Sequence, residues 1–322
     1  MTGAGGFIGS HLVENLVQRG ARPKAFVRYN SRHDTGCLKI LPSGIQREVE
    51  IIFGDLRNPD DVRKSLKGSH IVFHLGALIA IPYSYVNPRE VVETNVLGTL
   101  NVLSACLEQK VERIIHTSTS EVYGTAQYVP IDESHPLKGQ SPYSASKVGA
   151  DKIAESFFCS YQLPVVTVRP FNTYGPRQSA RAIIPTLITQ ALTKDKISVG
   201  SLNPRRDFTY VSDIVNGFIK AAEGKDALGN AVNLGSNSEI TIEALAKEIF
   251  QLLGKESIQM VQENERIRPP QSEVERLWAD NSKAKTLFGW SPAVSLREGL
   301  LQTIAWVREH PHFYTEGNGY VI

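Results

Sequence analysis

The chain has 322 residues, enough for one large domain or two lobes, and its 41% hydrophobic and 21% charged residues are ordinary for a globular fold. A formal net charge of +2 offers neither a basic field for nucleic acid nor an acidic tail. No apolar run is long enough to cross a bilayer and the opening residues do not read as a charged-then-apolar leader, so a cytoplasmic protein without a membrane partner is expected. Cys37, Cys106 and Cys159 are odd in number and form no CxxC pair, which argues against a disulfide framework. The eight histidines show no ligand spacing, and no metal is expected.

The opening "MTGAGGFIGSHL" places Gly3, Gly6 and Gly9 three apart at the start of an expected helix, Ile8–Arg19, in which Ile8, Leu12, Leu16 and Val17 share a face. This suits a dinucleotide turn. Gly3 permits the bend, Gly6 the close approach of a pyrophosphate and Gly9 the packing of helix on sheet, while the helix start at Phe7 and Ile8 faces negative charge. Such a turn normally follows a central apolar strand, yet only Met1 and Thr2 precede it. The expectation is that this strand is truncated and that the natural reading frame begins upstream, with about five β-branched or apolar residues.

Further along, "KAFVR" (24–28), "VEIIFGD" (49–55), "HIVFHLGA" (70–77), "RIIHTS" (113–118) and "PVVTVRP" (164–170) read as buried strands, apolar on both faces. Helical spacing between them, as in Val92, Val96, Leu100 and Leu103, predicts an α/β fold with a doubly wound parallel sheet. An acidic residue at the end of the 24–28 strand would grip adenosine ribose hydroxyls. Arg28 stands there instead, which suits a 2′-phosphate and leans toward NADP, although an exposed strand-end arginine reads the same way. Asp55 and Leu56, and Gly76 and Ala77, are the expected adenine and phosphate contacts. The alternation breaks beyond about Gly175, where Pro- and Gly-containing loops separate shorter helices such as Ile242–Leu253 and Leu296–Val307. The expected division is a dinucleotide-binding domain, 1–174 plus about 207–236, and a substrate lobe, about 175–206 and 237–322.

In "SPYSASK", Tyr143 and Lys147 lie four apart at a helix start and therefore on one face. The lysine's charge is expected to lower the tyrosine's pKa, so that Tyr143 can take a proton from a substrate hydroxyl. His74, His116, Tyr123 and Tyr174 read as core or wall residues.

Together, "TGAGGFIG", "STSEVYG", "YSASK", "RPFNTYGPRQ" and "RRDFTYVSD" resemble, in order and across roughly the whole chain, the extended short-chain dehydrogenase/reductase family. The resemblance implies a Rossmann-type fold, tightly bound and recycled NAD or NADP, a nucleotide-sugar substrate, and Thr119, Tyr143 and Lys147 as the shared catalytic set. Within the family, Glu121 points to 4,6-dehydration. Oxidation at C4 acidifies the C5 proton, Glu121 removes it, water leaves from C6 and hydride returns there. A surface role for Glu121 is the alternative. Ser120 stands where thymidine-diphosphate-glucose dehydratases carry an Asp, which leaves open the acid that protonates the leaving hydroxyl. UDP-glucuronate decarboxylases and 4-epimerases share the catalytic set and stay open as readings. Longer strings such as "STSEVYGTAQYVPIDE" and "RPFNTYGPRQSARA" are similar to configuration-retaining NDP-N-acetylglucosamine 4,6-dehydratases of legionaminic-acid-type biosynthesis, implying UDP- or GDP-GlcNAc as substrate. Ser120, Asn172, Arg181, Arg206 and Arg268 are the candidate substrate contacts, the arginines as pyrophosphate clamps. Apolar residues on more than one face of the helices around 92–107 and 143–158 imply a homodimer.

Overall fold

A computed structural model describes residues 1–314. In chain order the first half runs α1 (Phe7–Gln18), β1 (Lys24–Arg28), α2 (Ser43–Arg47), β2 (Glu50–Gly54), α3 (Pro59–Leu66), β3 (Ile71–His74), α4 (Ile81–Val86), α5 (Pro88–Val92), α6 (Gly98–Gln109), β4 (Arg113–Thr117), α7 (Pro142–Tyr161) and β5 (Val165–Pro170). The second half runs β6 (Asn172–Tyr174), α8 (Ile183–Thr193), β7 (Lys196–Val199), β8 (Arg205–Arg206), β9 (Phe208–Tyr210), α9 (Val211–Glu223), β10 (Ala231–Leu234), β11 (Ile240–Thr241), α10 (Ile242–Leu253), β12 (Gln259–Gln262), α11 (Ser282–Phe288) and α12 (Leu296–Glu309).

The expected buried strands form a parallel sheet, because successive residues in each bury opposite faces. Phe73, Ile115 and Val166 pack with Leu12 of α1 and Phe218 of α9. Their neighbours Val72, Ile114 and Val165 pack with Val102 and Leu103 of α6 and Phe157 of α7. Parallel pairing joins β2 to β1 on one side and β3, β4, β5 and β10 on the other. The backbone of Met1 and Thr2 runs between the two groups. Phe26 donates to the Met1 carbonyl at 2.8 Å, Thr2 donates to Phe73 at 3.0 Å, and Leu75 donates to Thr2 at 3.3 Å. The central position expected to hold a strand thus carries two residues, and the glycine turn emerges where the strand order reverses. In such sheets that reversal opens a crevice beyond the carboxyl ends of the strands.

The fold is therefore α/β and Rossmann-type. Beyond β5 come the short pairs β6–β9, β8–β11 and β7–β12. Helices α8, α10 and α12 extend the sheet's core through Leu187, Ile249 and Ile304. The expected single helix around Val92–Leu107 is interrupted by a π-turn, Glu93–Leu97, between α5 and α6. No described helix is long and apolar enough to cross a membrane.

Candidate active site

A cleft of about 950 Å³ lies at this crevice. One end is the glycine turn. Gly3 adopts φ +68°, and a Cβ there would meet the Gly76 nitrogen at 2.7 Å, so both conformation and space require glycine. A Cβ on Gly9 would fall 2.2 Å from the Gly3 carbonyl oxygen. Gly6 starts α1 with no side-chain cap, and the first turn holds no acidic residue. Its amides at Phe7 and Ile8 are therefore available to an anion in the cleft. Gly3, Gly6, Phe7, Ile8 and Gly9 all line it, as do Arg28, Asp55, Leu56, Gly76 and Ala77. The donor set, a glycine cradle at an uncapped helix start with a strand-end ribose position beyond it, fits a dinucleotide.

The loop after β3 is fixed by a residue the sequence reading did not single out. Asn95, buried in the π-turn, accepts from the Leu78 amide at 2.8 Å and donates to the Leu78 carbonyl and to Ser146 Oγ, both at 2.9 Å. No local pattern marks it, since its partners lie in another loop and another helix.

The opposite end of the cleft gathers Thr119, Ser120, Glu121, Tyr143 and Asn172. Thr119 caps the short 3₁₀ turn Ser120–Tyr123, its hydroxyl accepting from the Glu121 amide at 3.3 Å. Ser141 and Ser144 form a capping box that starts α7, with Pro142 at its first position, and this sets Tyr143 over the cleft. Lys147 lies one turn on and donates to the Thr117 carbonyl at 2.6 Å. Burial draws the Lys147 ammonium down to about 8, with Asp151's charge opposing. Burial also pushes the Tyr143 phenol up; a hydrogen bond with Thr119 works against the rise, and the charges of Glu121 and Asp151 add to it. Burial thus outweighs the lowering expected for Tyr143, while Lys147 directs one of its three donors to β4.

Arg206 is buried, and burial draws its guanidinium down, with Glu121 the first charge opposing. It donates to Glu273 at 3.1 Å, and Arg268 stands 3.6 Å from the same carboxylate. The buried Arg268 Nη1 has no hydrogen-bond partner. Glu121, Arg206, Glu273 and Arg268 thus form a cluster of alternating charge behind the Thr119 end. Arg181 is not brought to it; it lies exposed on the loop before α8.

Beneath the site runs a buried polar network. Asp151, one turn past Lys147, accepts from His116 Nε2 at 3.1 Å, from Ser118 at 2.8 Å and from Arg169 Nε and Nη2 at 3.2 and 3.1 Å. Arg169 also reaches the Tyr123 hydroxyl at 2.9 Å, which donates to Asn233 at 2.7 Å. His74 is held between Thr2 at 2.7 Å and Thr99 at 3.0 Å. The histidines and Tyr123 are core residues, as is the fully buried Tyr174. The described residues bring together no cluster of three or more His, Cys, Asp or Glu suited to a metal.

A Rossmann sheet with a glycine cradle at its switch point and a Thr–Tyr–Lys group opposite defines an enzyme of the extended short-chain dehydrogenase/reductase class. Residues 1–303 match the family described as GDP-mannose 4,6 dehydratase, and the chain belongs to it. It is 32% identical to the human dTDP-D-glucose 4,6-dehydratase over 97% of this chain and 90% of that protein. It is 35% identical to a UDP-N-acetyl-alpha-D-glucosaminuronate decarboxylase of Bacillus cytotoxicus over 96% and 97%. Among solved structures, DesIV, a dTDP-glucose 4,6-dehydratase of Streptomyces venezuelae with NAD bound, superposes with a TM-score of 0.87 at 28% identity, covering 98% of both chains.

Proposed function

We propose that the chain is an NAD-dependent sugar-nucleotide 4,6-dehydratase converting UDP- or GDP-N-acetylglucosamine to its 4-keto-6-deoxy derivative. The supporting observation is Glu121, which lines the same cleft as Thr119 and Tyr143 and lies close enough for its charge to act on Tyr143. NAD, when bound, accepts the C4 hydride and returns it at C6, so the conversion is redox-neutral. Tyr143 takes the C4 hydroxyl proton, Lys147 holds charge beneath it, and Thr119 hydrogen-bonds the 4-hydroxyl. Glu121 removes the C5 proton once C4 is a ketone. Ser120 and Asn172 contact the sugar, and Arg206 and Arg268 hold the pyrophosphate, the Arg268 Nη1 that makes no hydrogen bond favouring such a role. Arg181 takes part only if its exposed loop moves.

The chain is read as a dinucleotide-binding domain, 1–174 with about 207–236, and a nucleotide-sugar lobe, about 175–206 with 237–322. Positions 315–322 of that lobe lie outside the described residues. The protein is read as a cytoplasmic homodimer paired through α5–α6 and α7, because Val92, Leu97 and Tyr161 are exposed there. A decarboxylase is the second reading, favoured by the Bacillus cytotoxicus relative and by the cations beside Glu121; a 4-epimerase uses the same Thr–Tyr–Lys set.

Incubation with UDP-GlcNAc, GDP-GlcNAc and UDP-glucuronate, followed by mass spectrometry, tests this. Loss of one water from a GlcNAc nucleotide is expected. Loss of carbon dioxide, or an unchanged mass with altered stereochemistry, overturns it. Glu121→Gln is expected to abolish water loss while sparing cofactor reduction, and product formed by that variant at the wild-type rate refutes the assigned role.

A further inference from the structure

Around the adenosine end of the cleft stand four charges from three segments. Arg28 closes β1, Asp55 and Arg57 follow β2, and Glu90 lies on α5. One Glu90 oxygen accepts from Arg28 Nη2 at 3.1 Å and stands 3.9 Å from Arg57 Nη1. The other accepts from the Tyr83 hydroxyl, which fixes the carboxylate's orientation. Arg57 is clamped on Asp55, with Nε at 3.0 and 3.1 Å from its two oxygens and Nη2 at 2.6 Å. Two guanidiniums and two carboxylates therefore cancel, and Arg28 and Asp55 line the cleft.

In a dinucleotide site of this kind, the end of the strand after the glycine turn meets the adenosine ribose. An arginine there receives a 2′-phosphate only if its donors are free. Here Arg28 directs Nη2 at Glu90, which offsets its charge and draws that donor away from a phosphate. A 2′-phosphate, with nearly two negative charges, would meet the Asp55 carboxylate in the cleft lining and the field of the Glu90 carboxylate paired with Arg28. A plain ribose hydroxyl brings no charge to repel.

We propose that Glu90 sets cofactor choice: by pairing with Arg28, while Asp55 holds Arg57, it weakens Arg28's hold on a 2′-phosphate and makes the site select NAD over NADP. This rests on, and deepens, the reading of the cleft as a dinucleotide site. It reverses the lean toward NADP that Arg28 suggests in sequence. Arg32 lines the cleft from an exposed turn and pairs with neither Glu90 nor Asp55, so it is tested separately.

The test loads the purified full chain with NADH and follows loss of its bound fluorescence on titration with NAD or NADP. For the wild type, NAD is expected to displace at least about tenfold below NADP. Glu90→Gln should narrow that ratio about tenfold, mainly through tighter NADP. Adding Arg28→Ala to it should cancel the gain, and Tyr83→Phe, which frees the Glu90 carboxylate, should shift the ratio part of the way. A wild type that takes both cofactors equally or prefers NADP overturns the proposal. So does an unchanged ratio in Glu90→Gln, or a ratio that moves with Arg32→Ala alone. Failure of the wild type to bind NADH at all refutes the dinucleotide reading itself and the proposal with it.

Discussion

Asp151 is the most consequential side chain outside the cleft, and its replacement by Asn tests the buried network directly. The substitution keeps shape and removes one negative charge facing Arg169 at 3.1 Å, with His116 and Ser118 also bonded to it. At an effective dielectric of about 20, the lost attraction at that distance is about 5 kcal/mol. Residual polarity of the amide offsets part of this, and removal of one partner from a buried pair costs about 3–5 kcal/mol in comparable cases. We therefore expect Asp151→Asn to lose about 4 kcal/mol, a large share of the roughly 5–15 kcal/mol that separates a folded domain from its unfolded chain. Urea denaturation followed by far-ultraviolet circular dichroism measures it, provided the slope is unchanged. Asp151→Asn/Arg169→Met should recover about 2 kcal/mol of the loss, because the buried guanidinium no longer stands without its partner. An Asp151→Asn protein within about 1 kcal/mol of wild type, or a double variant as unstable as the sum of the singles, refutes the reasoning.

Gly9→Ala forces a Cβ to within 2.2 Å of the Gly3 carbonyl, so it should cost about 3 kcal/mol and weaken NADH binding. Gly44→Ala, within α2 and with nothing within 4 Å, should leave NADH affinity unchanged and raise stability by up to about 1 kcal/mol, and equal melting shifts for the two would refute the packing argument. Lys147, lowered from 10.5 to about 8 by burial, costs the fold about 3 kcal/mol while protonated. Between these values the unfolded chain binds more protons than the folded one, so this contribution to stability rises with pH until Tyr143, shifted upward, reverses the trend above about 10. Relative to wild type, Lys147→Met should be most favourable near pH 7 and less so near pH 10; a flat difference defeats this. Leu97→Asp on the exposed face beyond α5 should convert the proposed dimer to monomer in light scattering, and a wild type that is monomeric at every concentration refutes that interface.

How much of this was legible in the sequence follows from the range of the interactions. The five strands were legible because each is short and apolar on both faces, and the glycine turn because its requirement is local. β2 departs from the pattern: Glu50 and Ile51 are exposed because it lies at the sheet's edge, a position no local pattern reveals. In the segment around 92–107 the apolar spacing misled. Val92 and Leu97 are exposed while Asn95 and Thr99 are buried, since the first holds the Leu78 loop and the second holds His74. Two polar residues claim the inner face, and the π-turn is the register change that lets both reach their partners. Arg28 stands out at the strand's end, but its partner lies 62 residues away, so the strand alone does not show how its charge is offset. The direction of the Tyr143 shift was likewise hidden, because burial is a property of the assembled fold and spacing on a helix is not.

Both arms of the proposed chemistry converge on the carboxyl end of β4. Thr119 and Glu121 follow it directly, whereas Tyr143 and Lys147 reach it from α7, through the bond from Lys147 to the Thr117 carbonyl. Beside that bond, Asp151 links α7 to the strands beneath through Arg169 on β5 and His116 on β4. The helix carrying the proposed proton acceptor for C4 is thus registered against the turn carrying the proposed base for C5 by one buried ammonium and one buried carboxylate. Loosening that carboxylate should disturb oxidation and elimination together, whereas changing Glu121 should disturb elimination alone. Comparing cofactor reduction with water loss in the two variants therefore separates a positioning effect from a chemical one, which the Thr–Tyr–Lys set, common to dehydratases, decarboxylases and epimerases, cannot do by itself.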